Sequence, residues 1–197
     1  PLLLEKYMRA AESIVAAAVP TVTKAVREKS FTGTEFRNAN DSANTSDRLT
    51  FYQEANLSHS FKAAAAGDYR LVFELEVLGQ FDFDPGRCAV IFKVDDRELK
   101  KEEFGWQNNK RFRFEFDEKW QPGEHRLVLE LEPLIPVEKK VNSVDLRIAS
   151  VRVQGPLDER HWGRPKNFEL FFWKDVPQAK VERRQYAREV INRFATR

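Results

Sequence analysis

The chain of 197 residues has one cysteine, three histidines, one methionine and almost no net charge. It also lacks the short motifs that mark most catalytic sites. There is no GxSxG, phosphate-binding loop, GxGxxG, HExxH, CxxC or CxxCH, so the local signatures of common hydrolases, nucleotide binders, zinc sites and haem attachment are missing from this segment. An enzyme is therefore not the expectation, and no haem is expected here. A lone Cys88 cannot form an internal disulfide, and its place in the run Cys88-Ala89-Val90-Ile91-Phe92 reads as a small buried hydrophobe. His59, His125 and His161 stand far apart; a triad and ordinary structural histidines both remain open, and the structural role is favoured.

A formal net charge of +2 and no cluster of Lys and Arg interleaved with aromatics give no footprint for nucleic acid. The charge is uneven: residues 1–155 carry 23 basic and 25 acidic side chains, and residues 156–197 carry 10 and 6. No apolar run approaches the roughly 20 residues of a membrane-spanning helix. The start, Pro1-Leu2-Leu3-Leu4, shows neither an initiator Met nor a signal-peptide pattern. The helical pattern at Tyr186–Phe194 runs toward Arg197 without a capping Gly or Pro. The chain reads as an internal piece of a larger protein, with any targeting signal outside it.

What is present is a folded composition, 42% hydrophobic and 32% charged, with 16 Phe against 4 Tyr and 4 Trp. Apolar residues at Leu4, Tyr7, Met8, Ala11, Ile14, Val15 and Ala18 recur at helical spacing, and Pro20 halts that helix. Residues 38–47 are turn formers and read as a solvated loop. Asn40, Asn44 and Asn56 each open an N-x-S/T triplet, with chance the favoured explanation.

From residue 49 the period becomes two. Strands are expected at Leu49–Tyr52 and Leu57–Lys62, and most clearly over Asp68–Leu78. There Tyr69, Leu71, Phe73, Leu75 and Val77 point inward, and Arg70, Glu74 and Glu76 face water. Cys88–Val94 leads to a hairpin turn at Asp95-Asp96 and on to Arg97-Glu98-Leu99. Phe112, Phe114 and Phe116 precede the Pro122-Gly123 turn and Leu127, Leu129 and Leu131. In the last strand Val144, Leu146 and Ile148 are out of phase with Val151 and Val153, which predicts a β-bulge near Ala149-Ser150. The pattern gives a mainly β fold: an antiparallel β-sandwich of jelly-roll type over residues 30–155. A helical segment over 1–29 precedes it, and an irregular linker with a C-terminal helix over 156–197 follows.

Two loops carry candidate binding groups. Asp82 and Asp84, in Asp82-Phe83-Asp84-Pro85-Gly86, are spaced so that two carboxylates could converge on a hard cation, calcium above all. A plain turn is the competing reading, because no third acidic or amide ligand comes two residues later, where Gly86 stands with Arg87 directly after it. Asp95 and Asp96 pose the same choice. Trp106, in a polar loop read over Glu103-Phe104-Gly105-Trp106-Gln107-Asn108-Asn109-Lys110, is equipped to stack on a sugar ring with Asn108 as a polar contact, or else packs on its own loop. Trp120 reads as a core-edge residue, Trp162 and Trp173 as clamps for the tail, and Glu130, Glu132 and Glu138 as a solvated face.

Several stretches carry a resemblance by their order and spacing. They are Leu4-Glu5-Lys6-Tyr7, Gly67-Asp68-Tyr69-Arg70-Leu71, Gly123-Glu124-His125-Arg126-Leu127, Val153–Trp162, Tyr186–Val190 and Arg193–Arg197. Together they resemble an internal segment of the large secreted multidomain proteins of the planctomycete cytochrome-c type, over nearly the whole chain. The resemblance implies a β-sandwich similar to calcium-dependent, xylan-binding carbohydrate-binding modules. It also implies an extracytoplasmic location, with polysaccharide and neighbouring domains of the same polypeptide as partners. This sequence departs from that pattern before and within the last strand. Leu131-Glu132-Pro133-Leu134 and Ser143-Val144-Asp145-Leu146 stand where such modules carry an Asn-Asp pair and an Asp-Arg-Asn-Leu stretch. A structural or protein-interaction spacer that has lost ligand binding is the alternative.

Overall fold

The alternation of Tyr69, Leu71, Phe73, Leu75 and Val77 becomes the central strand of a sheet, and all five side chains are buried. The computed structural model describes residues 2–79, 84–135 and 143–196. It divides into two compact units, Glu28–Asp158 and Pro1–Arg27 with Glu159–Arg197.

The first unit holds ten strands: β1 Glu28–Phe31, β2 Arg37–Asn38, β3 Arg48–Thr50, β4 Ala55–Ala63, β5 Gly67–Gly79, β6 Arg87–Val94, β7 Arg97–Gly105, β8 Lys110–Trp120, β9 Gly123–Pro133 and β10 Val144–Gln154. They form two five-stranded sheets. One runs β1-β10-β5-β8, with β3 also paired to β10; the other runs β2-β4-β9-β6-β7. Every pairing between these strands is antiparallel. This is the β-sandwich that the period-two pattern predicts. The inward rings meet between the sheets: Phe73 lies edge-on to Phe92 at 5.2 Å, and Phe92 tilts against Phe114 at 4.8 Å. Such pairs add roughly 0.5–1.5 kcal/mol each beyond the area they bury.

The phase slip in the last strand is a register shift between Ile148 and Ser150 opposite β5, so one extra residue lets both apolar stretches face the core. Asp95-Asp96 forms the two-residue turn between β6 and β7, with Asp95 at a φ of 55°.

Three features differ from expectation. The second face of β5 is not simply wet, since Val72 is fully buried and Glu76 is only 8% exposed. β5 lies between β8 and β10, whose Arg111 and Arg147 pair with Glu76 and whose Arg113 and Arg152 pair with Glu74. Their aliphatic stems cover this face. Glu103, Phe104 and Gly105 belong to β7 rather than to the loop, which shrinks to residues 106–109 because Cys88 and Ala89 of β6 continue the ladder opposite Phe104 and Glu103. Finally, β1 and β3 share one edge of β10, at opposite ends of it.

The second unit contains α1 Leu2–Ala18, the four-residue α2 Phe168–Phe171 and α3 Lys180–Ala195. Helices therefore occur near both ends of the chain, as their 3.6-residue spacing predicts. Phe168 and Tyr186 are its buried anchors, and the Tyr186 hydroxyl donates to the carbonyl of Lys174 at 3.0 Å.

Candidate functional site

Asp84 is 3% exposed, and both of its oxygens are engaged. Oδ1 accepts from the Tyr52 hydroxyl and from the Gly86 amide at 2.9 Å, and Oδ2 accepts from the Ser143 amide at 2.8 Å and the Ser143 hydroxyl at 2.7 Å. Burial alone would raise its pKa; the hydrogen bonds from Tyr52, Ser143 and Gly86 outweigh that and hold the carboxyl below the usual aspartate range. The Tyr52 phenol is pushed upward by burial and by the adjacent carboxylate. Gly86 makes the approach possible, because a Cβ there would overlap the Tyr52 hydroxyl.

A carboxylate with four protein donors on two oxygens has no lone pair free for a cation. Asp84 as placed does not fit calcium. Asp82, its proposed companion, lies outside the described residues, as does Glu138. Among the described residues no three His, Cys, Asp or Glu side chains meet as a metal site. Asp95 is likewise engaged: Oδ1 accepts from the Arg126 amide at 2.8 Å, and Oδ2 is 3.1 Å from His125 Nδ1.

The Trp106 indole is half-buried against the core rather than standing free in its loop. It lies over Gly79 so closely that a Cβ there would overlap the ring, and its Nε1 is buried without a hydrogen-bond partner among the described residues. Asn108 is exposed in the same loop. Trp120 is buried at the core edge, stacked on His125 at 4.4 Å with an interplanar angle of 6°. His59 packs on Phe31 at 4.1 Å, and its Nδ1 is 2.9 Å from the Glu35 carbonyl. The Trp173 ring meets Tyr186 edge-on at 4.9 Å within the helical unit. The Asn44 and Asn56 amides both donate to protein oxygens, to Gly33 at 2.9 Å and to Glu130 at 3.1 Å.

A concavity of the sandwich lies elsewhere, a hollow of about 760 Å³ lined by polar groups that include Arg37, Asn38, Ser58, His59, Ser60 and Arg126. The short strand β2 creates it. β2 pairs only with Leu57 and Ser58 of β4, so the rest of that edge stays open beside the loop that follows β2. Ser60 stands opposite Arg126 in the β4–β9 register, and Arg126 Nη2 donates to Ser58 Oγ at 3.1 Å. The Arg37 guanidinium is held by Asp41, 3.5 Å from its carboxylate. The Glu35 carboxylate is turned away to Thr32, whose backbone amide, at 2.7 Å, is the main cause of its lowered pKa. Among the described residues Arg126 has no carboxylate partner, which leaves its charge facing the hollow. Neither Arg126 nor the two serines stand out in the sequence. The available signal is a run of small polar residues, Asn56, Ser58 and Ser60, on the outward phase of β4.

No protein-family model matches the sequence, and no curated protein matches it. Solved structures do. The chain is similar to the CBM36-1 domain of a multidomain xylanase from the hindgut metagenome of Trinervitermes trinervoides, with 10% identity, a TM-score of 0.42, and coverage of 66% of this chain and 98% of that one. It is similar to a family 35 carbohydrate-binding module from an environmental isolate, with 18% identity, a TM-score of 0.38, and coverage of 67% and 93%. It is also similar to carbohydrate-binding module CBM36 in complex with calcium and xylotriose, with 8% identity, a TM-score of 0.38, and coverage of 64% and 98%. Neighbours in structure thus include carbohydrate-binding modules; at these identities and TM-scores the likeness carries no argument about ligand or mechanism.

Proposed function

We propose that the sandwich is a non-catalytic, carbohydrate-binding-like recognition module that meets polysaccharide at the polar hollow beside β4. In this reading it serves a larger secreted protein of the planctomycete cytochrome-c type. The observation that carries the reading is the open hollow in which Arg126, with no carboxylate partner among the described residues, stands beside Ser58 and Ser60. Sugar hydroxyls both donate and accept, so a concave surface offering a fixed guanidinium and two hydroxyls matches them group for group. This reading does not use Asp84 as a calcium ligand, because its carboxylate already accepts from Tyr52, Gly86 and Ser143.

A spacer role is the second reading. It is favoured by the sandwich aromatics: among the described residues Phe61, Trp106, Phe112, Phe114 and Phe116 are the most accessible, and all pack on the core. Among the described residues of the sandwich no sugar-stacking platform stands clear of the surface.

Affinity electrophoresis through gels containing a panel of plant and algal polysaccharides, with calcium and with chelator, separates the two. Retardation by a subset of glycans, unchanged by chelator and weakened by Arg126→Ala or Ser60→Ala but not by Trp106→Phe, supports the hollow. Unretarded migration in every gel would leave the spacer.

A further inference from the structure

The helical unit presents apolar surface that its own fold leaves uncovered. On α1, Leu4, Tyr7, Met8, Ile14 and Val15 are each more than half exposed. A hollow of about 540 Å³ is lined by Val15 and Val19, by Phe172, and by the α3 face that carries Tyr186, Val190 and Ile191. Residues 183, 186, 187, 190 and 191 all border it, and their i, i+3, i+4, i+7, i+8 spacing is one continuous face of a helix. Tyr186 is buried in this unit, whereas Val15 and Ile191 are 56% and 66% exposed. Large apolar patches of this kind on an otherwise polar surface mark contact sites.

Charge says what fits. Arg183 borders both the apolar hollow and an adjoining one of about 460 Å³ lined by Lys180, Arg183, Arg184 and Ala187. α3 carries Lys180, Arg183, Arg184, Arg188 and Arg193 against only Glu182 and Glu189. Lys174 stands over the Tyr186 ring at 4.9 Å, and Arg193 over Trp173 at 5.1 Å. An apolar groove beside a basic helix surface suits a helix with one apolar face and acidic flanks. A second copy of α3 would oppose like charges.

We propose that this groove docks an acidic amphipathic helix of a partner polypeptide segment. Its apolar positions fill the space between Val15 and Ile191, and its carboxylates pair with Arg183 and Arg184. The assignment is independent of any glycan bound by the sandwich.

The test uses the full 197-residue chain and fluorescein-labelled peptides of about 18 residues, five helical turns. One carries Leu on one face and Glu elsewhere, a second has Lys in place of Glu, and a third scrambles the first. Anisotropy should show the Glu peptide binding at least about tenfold more tightly than the other two, weakening as salt is raised. Val15→Asp and Ile191→Asp, both at exposed positions and with unchanged circular dichroism, should weaken it by about tenfold or more, as expected for central apolar contacts. Arg183→Glu with Arg184→Glu should reverse the preference toward the Lys peptide. Equal binding of all three peptides would overturn the proposal. So would absence of peptide binding, whether the chain then forms a dimer by light scattering or binds vesicles of anionic phospholipid in an Ile191-dependent way.

Discussion

The Tyr52 hydroxyl donates to Asp84 Oδ1 in the interior of the sandwich, and Ser143 holds the other oxygen of the same carboxylate. One side chain thereby ties the segment after β3 to the entry of β6 and the entry of β10. Asp84→Asn puts an amide N–H where a buried donor already points, which costs about 2–3 kcal/mol. Tyr52→Phe removes one donor and leaves three, and should cost about 1 kcal/mol. Urea unfolding measures both. Because the folded carboxyl titrates below its ordinary range, its contribution is fully present above the unfolded pKa near 4 and is lost as pH falls through the folded value. The gap between wild type and Asp84→Asn should therefore narrow in acid. A gap that is constant with pH would mean that the charge does not matter.

Gly79 and Trp106 occupy space that allows no Cβ between them. Gly79→Ala should push the indole outward, with a red-shifted tryptophan emission and a loss of about 1–3 kcal/mol, the usual cost of overpacking. The double variant Gly79→Ala with Trp106→Ala should lose less than the sum of the two singles, since the clash disappears with the ring. Additive losses would place the ring elsewhere.

Cys88 is fully buried on the inner face of β6, and burial pushes its thiol up to about 12. The thiolate is the reactive form, so a maleimide reagent at neutral pH should leave folded protein unmodified and label it rapidly in denaturant. Fast labelling of the folded chain would contradict this packing.

Much of the fold is legible because burial repeats with the backbone. Phe112, Phe114 and Phe116 announce β8, and the phase slip between Ile148 and Val151 announces the bulge. β1 and β2 escape that reading, since strands of four and two residues are too short to show a period, and it is β10 and β4 that select them as partners. The site is harder still. Asp84 stands out locally, but what it does depends on Tyr52 and Ser143, 32 and 59 residues away in sequence. Arg126 and Ser60 look like ordinary outward residues until the β4–β9 register sets them side by side.

Asp145, two residues beyond Ser143, behaves oppositely to Asp84. Burial raises its pKa, and Arg48 only partly offsets the shift. A carboxyl whose folded pKa is raised costs stability above that folded value, and the cost disappears as pH falls below the unfolded one. Asp145→Asn keeps the shape and removes the charge. It should raise the melting temperature at neutral pH, and the advantage should vanish in acid. The same substitution at Asp84 lowers the melting temperature at neutral pH, because there the charge has four donors. If Asp145→Asn instead destabilises the protein at neutral pH, its carboxylate must be paired with Arg48 strongly enough to outweigh burial.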